Sequence, residues 1–400
     1  MRTGPLPVMH PGASFIGREE LHAVERVLKS KSLYRFYGPH FMNVTGEFEA
    51  DMRAYFTRRY AIAVTSGTAA LHTALVGLGI GKGDEVILPT YCWVACPDAV
   101  VATGARPTLA DVDDTLTLDP EDVARRVTKK TRAIVAVHMR GVPADLSGLR
   151  RVAKQHGLFL VEDVAQGAGG SYKGKKLGSY GDVATCSFQL NKMITAGEGG
   201  AILTDERRTY ERSLMFHDVG TPYRGFSGKG ARLEIEPFPG VNYRMNELSA
   251  AVLKEQLKKL DMLVEKIRAN KLKVEKGISG TAGIEFRRLN DPQGEIGVSL
   301  VFFVKTPEQA REFKAALAAE NITTPSGAYP GVGYDPSVND GHVFAHWGHI
   351  FPGMSRLMKE HEQTLGLLSR AVHLDISPLL SEEDVQDNID AVKKVAEAIL

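Results

Sequence analysis

Short apolar runs set the frame for this chain. AIAV (61–64), DEVILPT (84–90), ARPTLADVD (105–113), RAIVAVHMRG (132–141) and GLFLVEDVA (157–165) are separated by helical patterns such as AALHTALVGLG (69–79). These runs are strand-length, and runs of that kind, buried on both faces, mark parallel strands. DVATCSF (182–188) also reads as a buried strand. Residues up to about 260 therefore read as an α/β domain.

Outside these runs, REELHAVERVLKS (18–30) predicts an amphipathic helix, YRFYGPH (34–40) an aromatic loop, and GEFEADMRAYFTRRY (46–60) a helix. ELSAAVLKEQLKKLDMLVEKIRANKLKVEKGI (247–278) is one long periodic helical stretch that leads into a second domain. That domain alternates GVSLVFFVK, EQAREFKAALAAEN, an aromatic-rich loop and a last helix, EEDVQDNIDAVKKVAEAI. The expected division is a large domain over 1–265 and a smaller C-terminal α/β domain over 266–400.

With 400 residues the chain can bury a large core. A net charge of +1 gives no reason to expect nucleic acid or a membrane surface as a partner. No apolar run approaches the roughly 20 residues that span a bilayer, and the first residues, MRTGPLPVMHPGASF, lack a signal-peptide core. Cys92, Cys96 and Cys186 are an odd, sparse set. They argue against a disulfide framework and for a reducing cytoplasm. The spacing C-x3-C, with no second ligand pair, does not make a metal site.

The chemistry gathers at strand ends, where open α/β sheets bind ligands. In SFQLNKMITAGEGGA (187–201), Lys192 closely follows a buried strand and precedes a glycine cluster. It is either a solvated loop lysine or a buried amine that forms a Schiff base. In SGTAALHTAL (66–75), Gly67 allows close backbone approach, and Thr68 and Ala69 open a helix whose free N–H groups favour a phosphate; a plain N-cap is the rival reading. Asp163 ends an apolar strand, where a carboxylate needs a partner. A protonated pyridine nitrogen, an arginine or a helix cap would serve. Gln166 stands three residues on. Trp93 in PTYCWVACPDAV either stacks on a heteroaromatic ring or belongs to the core. Ser187 stands five residues before Lys192, within reach of a phosphate. Together these groups describe a site for pyridoxal 5′-phosphate.

SGTAAL (66–71), GDEVILPT (83–90), EDVAQGAGGSYKGKKLGSYGD (162–182), SFQLNKMITAGEGGAILTDE (187–206) and GVNYRMNELSAA (240–251) resemble the DegT family of pyridoxal-phosphate-dependent sugar aminotransferases, over nearly the whole chain. The resemblance implies fold type I, with a mostly parallel seven-stranded sheet, and a homodimer with active sites at its interface. It makes Lys192 the Schiff-base lysine and Asp163 the partner of the ring nitrogen. Gln166 then sits near the ring oxygen and Trp93 on the ring. Gly67, Thr68, Ala69 and Ser187 form the phosphate site, and Asn242 reaches the neighbouring subunit's cofactor phosphate.

Relatives that dehydrate sugars carry histidine in place of this lysine, so Lys192 favours transamination. RFYGP, SFQ and AVHLDISPLL resemble the branch acting on keto cyclitols and ketosugars without a nucleotide, with glutamate or glutamine as donor. This points to amino-sugar, aminocyclitol or secondary-metabolite (antibiotic) biosynthesis. Nucleotide-linked ketosugars are the alternative acceptors. A sugar dehydratase, a non-enzymatic regulator, and an amino-acid aminotransferase using Arg356 or Arg370 for a carboxylate are further rivals. One departure stands out. Arg140, in His138-Met139-Arg140-Gly141, replaces a tyrosine common in the family. It is either a surface arginine or an anion or hydroxyl contact.

Overall fold

The structure, a computed structural model, describes residues 4–220, 235–322 and 360–400. Its first nine strands are β1 (Tyr60–Val64), β2 (Glu85–Pro89), β3 (Arg106–Ala110), β4 (Thr131–Val137), β5 (Phe159–Asp163), β6 (Ser171–Tyr172), β7 (Lys175–Lys176), β8 (Val183–Ser187) and β9 (Gly200–Thr204). Seven of them form one sheet in the order β1-β9-β8-β5-β4-β2-β3, and β6 and β7 form a small hairpin beside it. Every neighbouring pair is parallel except the two that involve β9. The expected mostly parallel sheet is present, with β9 reversed.

Burial on both faces explains why the sequence runs show no in–out alternation. On β4, Ile134 and Ala136 join one apolar cluster while Ala133, Val135 and Val137 join another on the opposite face. Side chains alternate across a strand, so both sets are buried only when helices cover both faces. The helices Val44–Phe56, Leu146–His156 and Glu247–Leu257 contribute to the first cluster, and Gly67–Gly77 and Ala95–Ala102 to the second.

The stretch expected as one long helix is two, Glu247–Leu257 and Leu260–Ile278. The division expected at residue 265 thus falls inside the second helix. Beyond it, β10 (Glu285–Phe286), β11 (Ser299–Phe303) and β12 (Ala371–Asp375) form an antiparallel sheet. Leu300, Phe302, Val372 and Leu374 pack on its helix-covered face with Phe313, Leu317 and Val392. Val301, Phe303 and Ala371 turn the other way, into the cluster that holds Tyr91, Cys92 and Leu116. This face of the small sheet therefore shares an apolar cluster with segments that leave the strands of the large sheet. The last helix, Glu382–Ile399, starts at a capping box in which Ser381 and Asp384 satisfy each other's backbone N–H groups. The expected aromatic-rich loop lies largely outside the described residues. Among the described residues no helix is long and apolar enough to cross a membrane.

Because β1, β2, β4, β5 and β8 share one direction, their carboxyl ends meet at one edge of the sheet. The segments leaving them are Ser66–Gly67, Tyr91–Trp93, His138–Arg140, Asp163–Gln166 and Ser187–Lys192.

Candidate active site

Lys192 lies in the turn that follows β8. Its N–H donates to the Gln189 carbonyl at 2.9 Å, and its own carbonyl accepts from Gly12 N–H at 3.1 Å. The loop behind it is pinned to Phe188, which accepts from the Thr195 hydroxyl at 2.9 Å and from Ala196 N–H at 3.2 Å. Lys192 is half-buried. Burial pushes its pKa below the ordinary lysine value, Asp163 and Cys96 pull it partly back, and Arg140 acts with burial. A lowered pKa leaves more of the amine unprotonated at neutral pH, which a nucleophilic lysine requires. The solvated-loop reading of Lys192 does not describe this environment.

Asp163 closes β5 and is 4% exposed. Its Oδ1 accepts from Ala165 N–H at 2.9 Å and its Oδ2 from the Cys96 thiol at 3.2 Å. A carboxylate offers about four acceptor positions, so these two bonds leave capacity for a further donor. No arginine pairs with it among the described residues. The Cys96 thiol, held by Cys92, buried and beside Asp163, has its pKa pushed well up, so it is a donor and not a thiolate.

The phosphate cradle is built by close approach. Ser66 caps the helix Gly67–Gly77 by accepting from Ala69 N–H at 3.0 Å. That bond occupies one of the N–H groups expected to face a phosphate. A Cβ on Gly67 would stand 2.7 Å from Ser187 Cβ and 2.9 Å from its Oγ. Only glycine therefore lets the Ser187 hydroxyl, at the end of β8, come up against this helix N-terminus. Ser187 is buried, and Thr68 is exposed at the same end.

Trp93 is 55% exposed, although Tyr91 and Cys92 beside it are buried. A large aromatic ring left open at a strand end offers a stacking surface. It is not the core tryptophan of the rival reading. Gln166 accepts from Arg140 N–H at 3.0 Å, so this side chain braces the turn after β4. Asn242 is exposed in a segment bridged to Asp218, and its Oδ1 accepts from Arg244 N–H at a long 3.4 Å.

Arg140 is not a loose surface arginine. Its backbone is left-handed, with φ 57°, a conformation that costs a side chain of order 1 kcal/mol or more. The half-buried guanidinium pairs with Asp375 and donates to Ser299 Oγ at 3.3 Å, so it ties the loop after β4 to the small sheet. Arg370 is bound to the Gly366 carbonyl at the end of its own helix, at 3.3 Å. Arg356 lies outside the described residues.

Sequence reasoning missed Cys96 as the donor to Asp163, and missed Asp375 as the partner of Arg140. Cys96 had a usable signal, since it lies one helical turn after Cys92 where the chain leaves β2. Asp375 had none, because β12 could not be seen as a strand.

Gly67 pressed against Ser187, the half-buried Lys192, the under-used Asp163 and the open Trp93 fit a phosphorylated pyridine aldehyde. The comparisons with known proteins agree. The model of the DegT/DnrJ/EryC1/StrS aminotransferase family matches residues 14–393. The chain belongs to this family. It is similar to a solved 3-amino-5-hydroxybenzoic acid (AHBA) synthase, at 27% identity over 99% of this chain and 100% of that one, with a TM-score of 0.84. DesV from S. venezuelae is 32% identical over 99% of both chains, with a TM-score of 0.82. DesI, solved in the presence of its TDP-sugar product, is 26% identical over 99% of this chain and 94% of that one, with a TM-score of 0.78. The protein is a pyridoxal-phosphate-dependent aminotransferase of the sugar-aminotransferase kind. This sets transamination above the dehydratase and regulator readings. The fold class, the enzyme class and the cofactor expected from the sequence all hold.

Proposed function

We propose that this aminotransferase moves an amino group from glutamate or glutamine to a keto cyclitol or to a keto sugar not carried on a nucleotide. It would serve amino-sugar, aminocyclitol or other secondary-metabolite biosynthesis. The observation that carries the reading is the half-buried Lys192 after β8, its pKa lowered by burial, within the electrostatic reach of Asp163.

Bound pyridoxal phosphate supplies an electron sink. Lys192 would hold it, and Asp163 would keep the proton on the pyridine nitrogen. Ser187 and the helix opening at Gly67, Thr68 and Ala69 would take the phosphate, Trp93 would cover the ring, and Gln166 would sit by the ring oxygen. As a free amine, Lys192 would take the proton from the donor's α-carbon as a base and give it back as an acid. Toward the ketone, Lys192 would make the same proton transfers in reverse order.

Residues 1–265 would form the large domain that holds the cofactor and 266–400 the small C-terminal domain. A homodimer would complete each site with Asn242 of the other subunit, in keeping with its exposure and weak internal bond. The cytoplasm is the compartment that suits the three unpaired cysteines.

A second reading, with a nucleotide-linked ketosugar as acceptor, is supported by the likeness to DesI with its TDP-sugar product. A donor and acceptor screen of the purified protein separates the two. The first reading expects glutamate or glutamine to amino-load the enzyme, and a free keto cyclitol or ketosugar to unload it with the higher kcat/KM. A clearly higher kcat/KM with a nucleotide-linked ketosugar overturns it.

A further inference from the structure

Among the described residues the Asp163 carboxylate accepts two hydrogen bonds, and they differ in kind. Ala165 N–H, two residues on in the same loop, donates to Oδ1 at 2.9 Å. The Cys96 thiol donates to Oδ2 at 3.2 Å from the helix Ala95–Ala102, which follows the turn after β2. The last torsion of an aspartate is soft, so a bond from its own loop leaves the plane of the carboxylate free to swing. The second bond, from another element, fixes both oxygens.

Cys96 also holds Trp93. Its N–H donates to the Trp93 carbonyl at 2.9 Å, in the turn that opens the helix. In the sheet, β4 lies between β2 and β5, so the thiol reaches past a strand. One residue thus ties the exposed indole segment after β2 to the carboxylate at the end of β5. These are the two groups that would cover the cofactor ring and hold its nitrogen.

A thiol is a weak donor. The bond with Cys92, burial and the Asp163 charge push the Cys96 pKa well up, and burial with Asp163 and Glu162 nearby pushes up that of Cys186. Both thiols therefore stay neutral beside Asp163. Cys96 can orient the carboxylate while drawing little charge from it and adding none. Its removal would have two opposed effects. Loss of a donor concentrates charge on Asp163 and strengthens its hold on a ring proton. Loss of the anchor lets the carboxylate turn away and weakens that hold. Because the donor is weak, the second effect prevails.

We propose that Cys96 is a positioning residue whose thiol aims Asp163 at the pyridine nitrogen of the cofactor. The inference rests on the reading of Asp163 as the partner of that nitrogen. The test reads the nitrogen itself. The enzyme is loaded with pyridoxal phosphate bearing an isotopic label at the ring nitrogen. The nitrogen NMR resonance, which differs between a protonated and a bare pyridine, is followed across pH. The wild type is compared with Cys96→Ala, Cys96→Val, Cys96→Ser and Asp163→Asn.

Cys96→Ala keeps the backbone bond to Trp93 and removes only the thiol. Its ring nitrogen should lose the proton at a pH about one unit below the wild-type midpoint, with turnover about tenfold slower. Cys96→Val fills the space without a donor and should shift the same way, so the answer does not depend on one variant folding well. Cys96→Ser keeps a donor and should recover most of the shift. An unchanged midpoint in Cys96→Ala and Cys96→Val overturns the inference even if turnover falls, because the thiol then serves packing alone. A midpoint that rises overturns it too, since charge and not aim would govern. So does a Cys96→Ser enzyme that titrates like Cys96→Ala. If Asp163→Asn leaves the resonance in place, the reading of Asp163 fails and the inference falls with it. If Asp163→Asn moves the resonance while the Cys96 variants do not, the inference fails alone.

Discussion

At the end of β5 two adjacent carboxylates face opposite sides of the sheet. Glu162 is fully buried and accepts from Gly178 N–H at 2.8 Å and from Tyr180 and Gly181 N–H at 2.6 Å each. His138 Nε2 lies 3.3 Å from it. His138 Nδ1 accepts from Ala144 N–H at 3.1 Å, which assigns the proton to Nε2 and directs it at Glu162. Burial alone pushes the Glu162 pKa up, yet the bonds from His138 and the Gly181 and Gly178 amides outweigh it and hold the carboxyl below its usual range. Asp163, one residue on, has a thiol and its own turn's N–H as partners. Two carboxylates of equal rank in the sequence thus differ in how far their acceptor capacity is used. The saturated one holds the loop 178–181 in place. The other has capacity left for a ligand.

The largest effect expected from this arrangement comes from Lys192. Lys192→Ala should abolish turnover while the protein stays folded. Borohydride reduction of the loaded wild-type enzyme, followed by peptide mapping, should label Lys192; a label on any other lysine breaks the assignment.

Asp163→Asn preserves shape and removes the charge. Turnover should drop by about a thousandfold or more, with Tm nearly unchanged. Near wild-type turnover would mean that another group holds the ring proton, and the contrast with Glu162 would lose its meaning.

Glu162→Gln should do the reverse. It turns an N–H donor toward backbone donors in a buried site, so chemical denaturation should show a loss of about 3 kcal/mol, while the folded fraction keeps its kcat. A stable Glu162→Gln protein with poor kcat would exchange the roles of the two carboxylates.

The smallest effect is a pH dependence. Because the Glu162 pKa is lower folded than unfolded, its contribution is complete above the ordinary glutamate value of about 4.3 and fades as pH falls through the folded value. Glu162→Gln should therefore flatten the acid limb of the stability curve. An unchanged acid limb would show that other carboxylates set it.

Much of the large sheet was legible because its strands are buried on both faces, which leaves an unbroken apolar run in the sequence. The runs around β1 to β5 and β8 sit where the sequence placed them. The reversal of β9 was not legible, since GAILT reads the same in either direction. The break between Leu257 and Leu260 was hidden because apolar residues continue in helical register across it, as Leu253, Leu257 and Leu260 do. β12 was hidden inside AVHLDISPLL, where His373 and Asp375 interrupt the apolar pattern. Those two share a face with Val301, which joins a buried apolar cluster, where a local rule predicts apolar residues. Arg140 was visible as a departure from its family, but its partner was not.

The sequence by itself determined that a lysine follows one buried strand, that a carboxylate ends another, and that a glycine opens the helix after a third. These are local facts, set by side-chain period, capping and backbone freedom. Only the tertiary structure decided that Ser187 would press against Gly67, that Cys96 would serve Asp163, and that Arg140 would cross to Asp375. Each of those pairings joins segments far apart in the chain. Strand order, register and crossover direction bring them together, and no local preference specifies those.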